Sequence, residues 1–423
     1  MGTFVLKGNI CFSTNQTELV TKENGYLVCE KGICKGVFTT LPEKYKNLPL
    51  HDYGNKIIIP GLIDLHVHAP QYTFRGLGMD LELIDWLNTH TFKEEAKYGQ
   101  SEYAEKAYEI FVNDLMKSAT TRACIFGTIH TEATLKLMEM LENRGFKGYV
   151  GKVNMDRNSP EELCEENADV SVQRTIEWIE EAKRRFHKIK PILTPRFIPT
   201  CSDSLMKNLA ELQEKYQLPM QSHLSENIGE INWVQELCPN TKFYGEAYEQ
   251  FGMFGNRYPS VMAHCVHSTD EEMQLMAKRN VFIAHCPQSN TNLSSGVAPI
   301  RKYLDMGIKM GLGSDVAGGF DLSILRAMAD AVQVSKLRWR LLDTSLAPLK
   351  VEEVFYLATK GGGQFFGKVG SFEEGFEFDA VVLDDSHLRT MRKLSVRERI
   401  ERLIYLADER CVADKYIAGE NVK

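Results

Sequence analysis

A chain of 423 residues, 43% hydrophobic and 25% charged, has the apolar content of a folded protein with a substantial core and does not suggest disorder. Its formal net charge of -7 and pI near 5.9 argue against a general nucleic-acid or anionic-membrane binder, because such proteins bind through clustered positive charge. Ten cysteines without CxxC pairs, and an opening MGTFVLKGNI without a basic-then-apolar leader, fit the reducing cytoplasm. No apolar run approaches the length of about 20 residues that a bilayer span requires. Position 6 is Leu, where a myristoylation site wants Ser or Thr.

The chain opens on β-rich pieces, TFVLKGNICFS and GYLVCEKGICKGVF, each broken by Gly, Asn or charged turn residues, and these predict hairpins. A different texture follows, in which short apolar runs alternate with longer helical stretches. Eight runs recur in order: IIIPGLIDLHV, TRACIF, GYVGKV, PILTPRF, LPMQSH, SVMAH, VFIAH and IKMGLGS. Between them the pattern predicts helices from Ser101 to Ser118, Pro160 to His187 and Ser202 to Tyr216. Eight strands alternating with helices predict an α/β fold of the (β/α)8 TIM-type barrel kind, with its active site at the C-terminal strand ends. After about Phe372 the texture returns to strands in FEFDAVVLDDS before a charged helix RKLSVRERIERLIYLAD closes the chain. The expected division is therefore residues 1–56 and 372–423 as a small β domain built from both chain ends, around a barrel of residues 57–371. Gly361, Gly362 and Gly363 lack the GK[ST] ending of a phosphate loop and predict a tight turn or close packing.

The chemistry-bearing residues sit at the ends of the runs. His66 and His68 end the first; residues two apart on a strand share a face, about 6.5 to 7 Å apart, so two imidazoles so placed converge on one ion. His223 ends the fifth run, His264 the sixth and Asp315 the eighth. Imidazoles plus a carboxylate suit a zinc or ferrous ion, and a coordination position left to water makes such a site catalytic. Any one of these residues alone reads as well as a satisfied core or loop side chain; their joint placement at strand ends carries the inference. Glu226, three residues beyond His223, is placed to move protons, although a helix N-terminus also favours a glutamate there. A bound divalent ion lowers the pKa of water toward about 7. Asp315 would then accept the water proton, Glu226 would protonate a ring nitrogen and the departing amine, and His264 would orient the water or stabilise developing charge.

PGLIDLHVH, SHLSE, AHCVH, HCPQSN and GLGSD, in this order, resemble the metal-dependent purine and pyrimidine deaminases of the amidohydrolase superfamily, nearly from end to end. HAPQYTFRGLGMDLELIDWLNTHTF and TPRFIPTCS are similar to the guanine deaminase family within it. The resemblance implies that His66, His68, His223 and Asp315 bind one zinc ion, ferrous iron being the other candidate, and that Gln71, Arg196 and Phe197 contact a purine. It implies hydrolysis of guanine to xanthine and ammonia by a cytoplasmic enzyme, a homodimer by analogy. The chemistry of the residues agrees, since guanine offers O6 and N7 as acceptors, which suit Arg196, Gln71 both donates and accepts, and Phe197 can stack. Trp86 is a candidate cover for the substrate or a packing residue. His130, His267 and His285 read as structural, and Ser289 and Asn290 as loop-shaping residues near the site.

A second branch of that superfamily bridges two metals with a modified lysine at the end of the fourth strand. Here the fourth run ends in Arg196, and Lys190 stands at its opposite end, so the site is expected to hold one metal. Another amino-heterocycle, a pterin, triazine or modified purine, is the alternative substrate, attacked by a related deaminase or chlorohydrolase. A non-catalytic scaffold would be expected to lack a ligand or proton carrier, and none is missing. The HxE and PCxxC pattern of base-flipping nucleic-acid deaminases does not occur.

Overall fold

The computed structural model describes residues 2–423. Strands Phe4–Asn15, Glu18–Glu30 and Ile33–Phe38 form the expected antiparallel meander. They extend into a seven-stranded sheet to which both chain ends contribute, with Leu50–Pro60 between Phe4–Asn15 and Ala380–Leu383. Strand periodicity decides what each face buries. Phe4, Leu6 and Ile58 pack with Phe372, Phe378 and Tyr416 on one side, while Ile57 and Ile59 turn to the main core.

Two expectations are corrected here. The run IIIPGLIDLHV is two strands rather than one, because Ile57–Pro60 pair with Ala380–Leu383 and the chain restarts at Leu62. At the corner, a Cβ on Gly61 would lie 2.0 Å from Thr121 Oγ1, so no larger residue fits. The charged helix, Val396–Leu406, does not close the chain; strands Val412–Ile417 and Glu420–Asn421 follow it and complete the sheet edge.

The eight runs supply the eight strands of two four-stranded parallel sheets. One comprises Leu62–His68, Thr120–Phe126, Lys147–Gly151 and Ile189–Pro191. The other comprises Met220–Leu224, Ser260–His264, Val281–His285 and Lys309–Leu312. Backbone hydrogen bonds join the sheets at both seams: Gln221 N donates to Leu193 O at 2.9 Å, and Asp315 N donates to His66 O at 2.8 Å. The fourth strand is short because prolines at 191 and 195 remove ladder donors; Thr194–Pro195 pairs instead with Val153–Asn154.

Helices cover these sheets. Ser101–Lys117 and Asp203–Tyr216 lie where the pattern places them, the second capped by Ser202 Oγ, which accepts from Leu205 N. The helix expected from Pro160 begins only at Ala168, where Asn167 caps it, and Glu161–Leu163 forms a separate turn. Gly361, Gly362 and Gly363 are a close-packing device: a Cβ on Gly363 would stand 2.2 Å from Val369 O.

Candidate active site

Each candidate ligand leaves its strand in a backbone conformation that turns the side chain toward a common point. On strand Leu62–His68, Ile63 and Leu65 join an interior cluster with Val261 and Phe282, yet His66 also points inward. Two consecutive inward residues require a break in alternation, which the register irregularity between Asp64 and Val67 provides. Ser314 Oγ donates to Asp64 Oδ2 at 2.6 Å and fixes this bend against the eighth strand. His264 (φ 73°) and Asp315 (φ 47°) lie in the left-handed region, a strained conformation for residues with a Cβ and one that clusters at functional sites.

The resulting geometry is tight. His68 Nε2 lies 3.2 Å from His66 Nε2 and 3.3 Å from His223 Nε2, and Asp315 Oδ1 lies 3.1 Å from His66 Nε2 and 3.5 Å from His68 Nε2. Bonds of about 2.0 to 2.2 Å around one zinc-like ion give ligand separations of this size. His223 Nδ1 donates to Arg196 O at 2.6 Å, which leaves its Nε2 as a lone pair facing the cluster. Burial, first of all, pushes the pKa of His66, His68 and His223 down, and the neutral imidazole is the ligand form. Asp315 is held well below the usual carboxylate range: burial opposes this, but His66, His264 and His68 outweigh it. Three imidazoles and an ionised carboxylate with facing lone pairs are a donor set that fits a divalent ion.

Beside this cluster stand Glu226 and His264. Glu226 Oε2 is 3.4 Å from His264 Nε2, which is itself 3.7 Å from Asp315 Oδ2. His264 Nδ1 donates to Asn290 Oδ1 at 2.9 Å, and Ser295 Oγ donates to Glu226 Oε1 at 3.0 Å. Burial pushes Glu226 up to about 7; His264 opposes this, while Glu230 and Asp315 add to it. A carboxyl so tuned exchanges its proton readily near neutrality.

A cavity opens onto His68, His223 and Asp315 and is also lined by Gln71, Arg196 and Phe197. The structure thus brings all nine residues singled out from the sequence to one place. Trp86 lines the cavity as well and donates from Nε1 to Leu77 O, so it both packs and covers. The ring of His285 is buried with no hydrogen-bond partner among the described residues, and burial lowers its pKa to about 3. His267 is hydrogen-bonded to Ser295 O at 2.6 Å, behind Glu226.

Two buried carboxylates escaped the sequence reading. Glu95 receives Arg196 Nη1 at 2.5 Å, Arg196 Nη2 at 3.1 Å and Gln71 Nε2 at 2.8 Å. Glu230 receives the backbone N–H of Glu226 at 3.0 Å and the hydroxyl of Tyr244 at 2.9 Å. Nothing in KEEAK distinguishes Glu95 from the neighbouring glutamate, whereas the Asn-x-x-Glu capping pattern at Asn227 and Glu230 was a usable signal.

The chain belongs to the amidohydrolase family, whose profile matches residues 57–422. Within that class it is a member of the guanine deaminase family. It is 40% identical to guanine deaminase of Dictyostelium discoideum over 88% of this chain and 84% of that one. With guanine deaminase of Escherichia coli K12 it shares 34% identity over 88% of this chain and 84% of that one. Its fold superposes on the crystal structure of guanine deaminase from C. acetobutylicum with guanine bound in the active site, with a TM-score of 0.97 and 47% identity over 100% of both chains.

Proposed function

We propose that this chain hydrolyses guanine to xanthine and ammonia. The observation that carries the reading is the meeting of His66, His68, His223 and Asp315 through contacts of 3.1 to 3.5 Å, beside Glu226 and at the floor of a cavity lined by Gln71, Arg196 and Phe197. We read the two joined sheets as a (β/α)8 barrel spanning about residues 57–371, flanked by a small β domain from 1–56 and 372–423, with Leu50–Pro60 crossing the boundary. His66, His68, His223 and Asp315 would hold one zinc ion, or ferrous iron, as the ligands.

A divalent ion held there supplies Lewis-acid activation of water near neutral pH. Asp315 accepts a proton from the attacking water, and His264, fixed by Asn290, orients that water. Glu226 delivers a proton to N3 of the ring as the C2–O bond forms, takes up the proton of the new C2 hydroxyl and passes it to the exocyclic nitrogen as the C2–N bond breaks; the proton held by Asp315 then returns Glu226 to its starting state. The balance is guanine and water in, xanthine and ammonia out. Arg196 and Gln71 hold the base, and Phe197, whose ring centroid lies 6.5 Å from that of His223, covers it. Steady-state assay of the metal-loaded chain tests the reading: xanthine and ammonia should appear in equal amounts, and full loading without turnover would reject it. Cytoplasmic location fits ten free cysteines, and a homodimer is the assembly we expect in solution.

A further inference from the structure

The geometry points to Glu95 as the positioning residue that makes the substrate-facing wall a hydrogen-bond donor surface, and thereby selects a purine with an oxo group at C6. This rests on the guanine reading above.

Gln71 alone is ambiguous, since an amide presents either its oxygen or its NH2 to a ligand. Here both ends are assigned by their neighbours. Gln71 Oε1 accepts from Ala317 N at 3.1 Å, and Gln71 Nε2 donates to Glu95 Oε1 at 2.8 Å. A flipped amide would set its oxygen against a carboxylate and its NH2 against a backbone N–H. The same carboxylate receives both terminal nitrogens of Arg196, and the guanidinium lies 5.2 Å from the Phe92 ring centroid. Glu95, Gln71 and Arg196 are 1%, 2% and 3% exposed, so water offers little competition for these bonds.

Consequently one N–H of Gln71 and three N–H groups of Arg196 remain after Glu95 and Ala317 have taken their share. Such a wall pairs with the O6 and N7 acceptors of guanine. A purine lacking the oxo group leaves buried donors without partners, and sites of this kind discriminate strongly for that reason. Glu95 also neutralises the Arg196 cation next to a site built for another cation. It reaches neither the metal cluster nor the proton carriers, and acts through the two side chains it fixes.

Guanine and 2-aminopurine carry the same leaving amine and differ in the oxo group at C6 and the lactam proton on N1 that goes with it; their intrinsic reactivities cancel between wild type and variant, so the change in the ratio of their kcat/KM values reads the wall. In Glu95→Gln, with metal content held at the wild-type value, that ratio should fall at least about tenfold, mainly through a higher KM for guanine. An unchanged ratio would overturn the proposal, even if both activities dropped together. Should Glu95→Gln not fold, because it leaves Arg196 buried without its counter-charge, Glu95→Asp keeps the charge and shortens the reach by one CH2. A ratio reduced by about threefold or more in that variant supports the assignment, and an unchanged one overturns it. A wild-type chain inert toward both purines would instead overturn the parent reading, and this one with it.

Discussion

Glu226 is the residue whose replacement separates proton transfer from metal binding most cleanly. It lies 3.4 Å from His264 and in the proposed mechanism carries protons without binding metal, so Glu226→Gln should lower turnover by about 100- to 10,000-fold while metal content stays at the wild-type value. Steady-state kinetics alongside metal analysis of the same sample checks this; loss of metal in step with activity would contradict it. At this scale most of the site was legible in the sequence, because each ligand ends an apolar run and a parallel sheet gathers such ends. Glu95 was not, since a glutamate on a short helix reads as solvent-facing until the fold lays it against Arg196. The role of His264, as ligand or as water-orienting group, was not legible in the sequence either, for it depends on Asn290 and on the distances to Glu226 and Asp315.

Elements meet the site through close backbone approaches, and the glycine run is the sharpest of them. Gly363→Ala would put its Cβ 2.2 Å from Val369 O, a contact the backbone must move to relieve. Denaturant melts should show destabilisation of about 1 to 3 kcal/mol, whereas an unchanged midpoint would mean the loop around Val369 yields freely. Strand order and most helix positions follow from hydrophobic period, which is why the eight runs map onto eight strands. Period alone misses where one strand stops and another begins without a loop, as at Gly61, where both pieces are equally apolar. It also misses the bulge near Asp64, because the extra inward residue depends on pairing with Thr120–Phe126.

Across the whole molecule, the seven-stranded sheet is fastened to strand Thr120–Phe126 and the helix before it by a lysine. Lys415 Nζ donates to the carbonyls of Leu115, Ser118 and Thr120 at 3.0 to 3.2 Å, and burial, helped by Lys423 and Arg144, lowers its pKa to about 7. The folded pKa lies below the unfolded one, so between the two the unfolded chain binds more protons and stability rises with pH. Relative to Lys415→Met, the wild type should gain about 2 kcal/mol between pH 7 and pH 9, read from paired unfolding curves. A pH-independent difference would show that the amine titrates as in the unfolded chain. Light scattering of the purified chain should give the mass of two copies, and a monomer at working concentration would remove the homodimer from the account.

The most direct test of the central claim is the metal content of the wild-type chain set against that of His66→Ala, both assayed with guanine. One ion per wild-type chain with release of ammonia, and neither in the variant, is the predicted result. Guanine turnover that survives with no metal bound would contradict it.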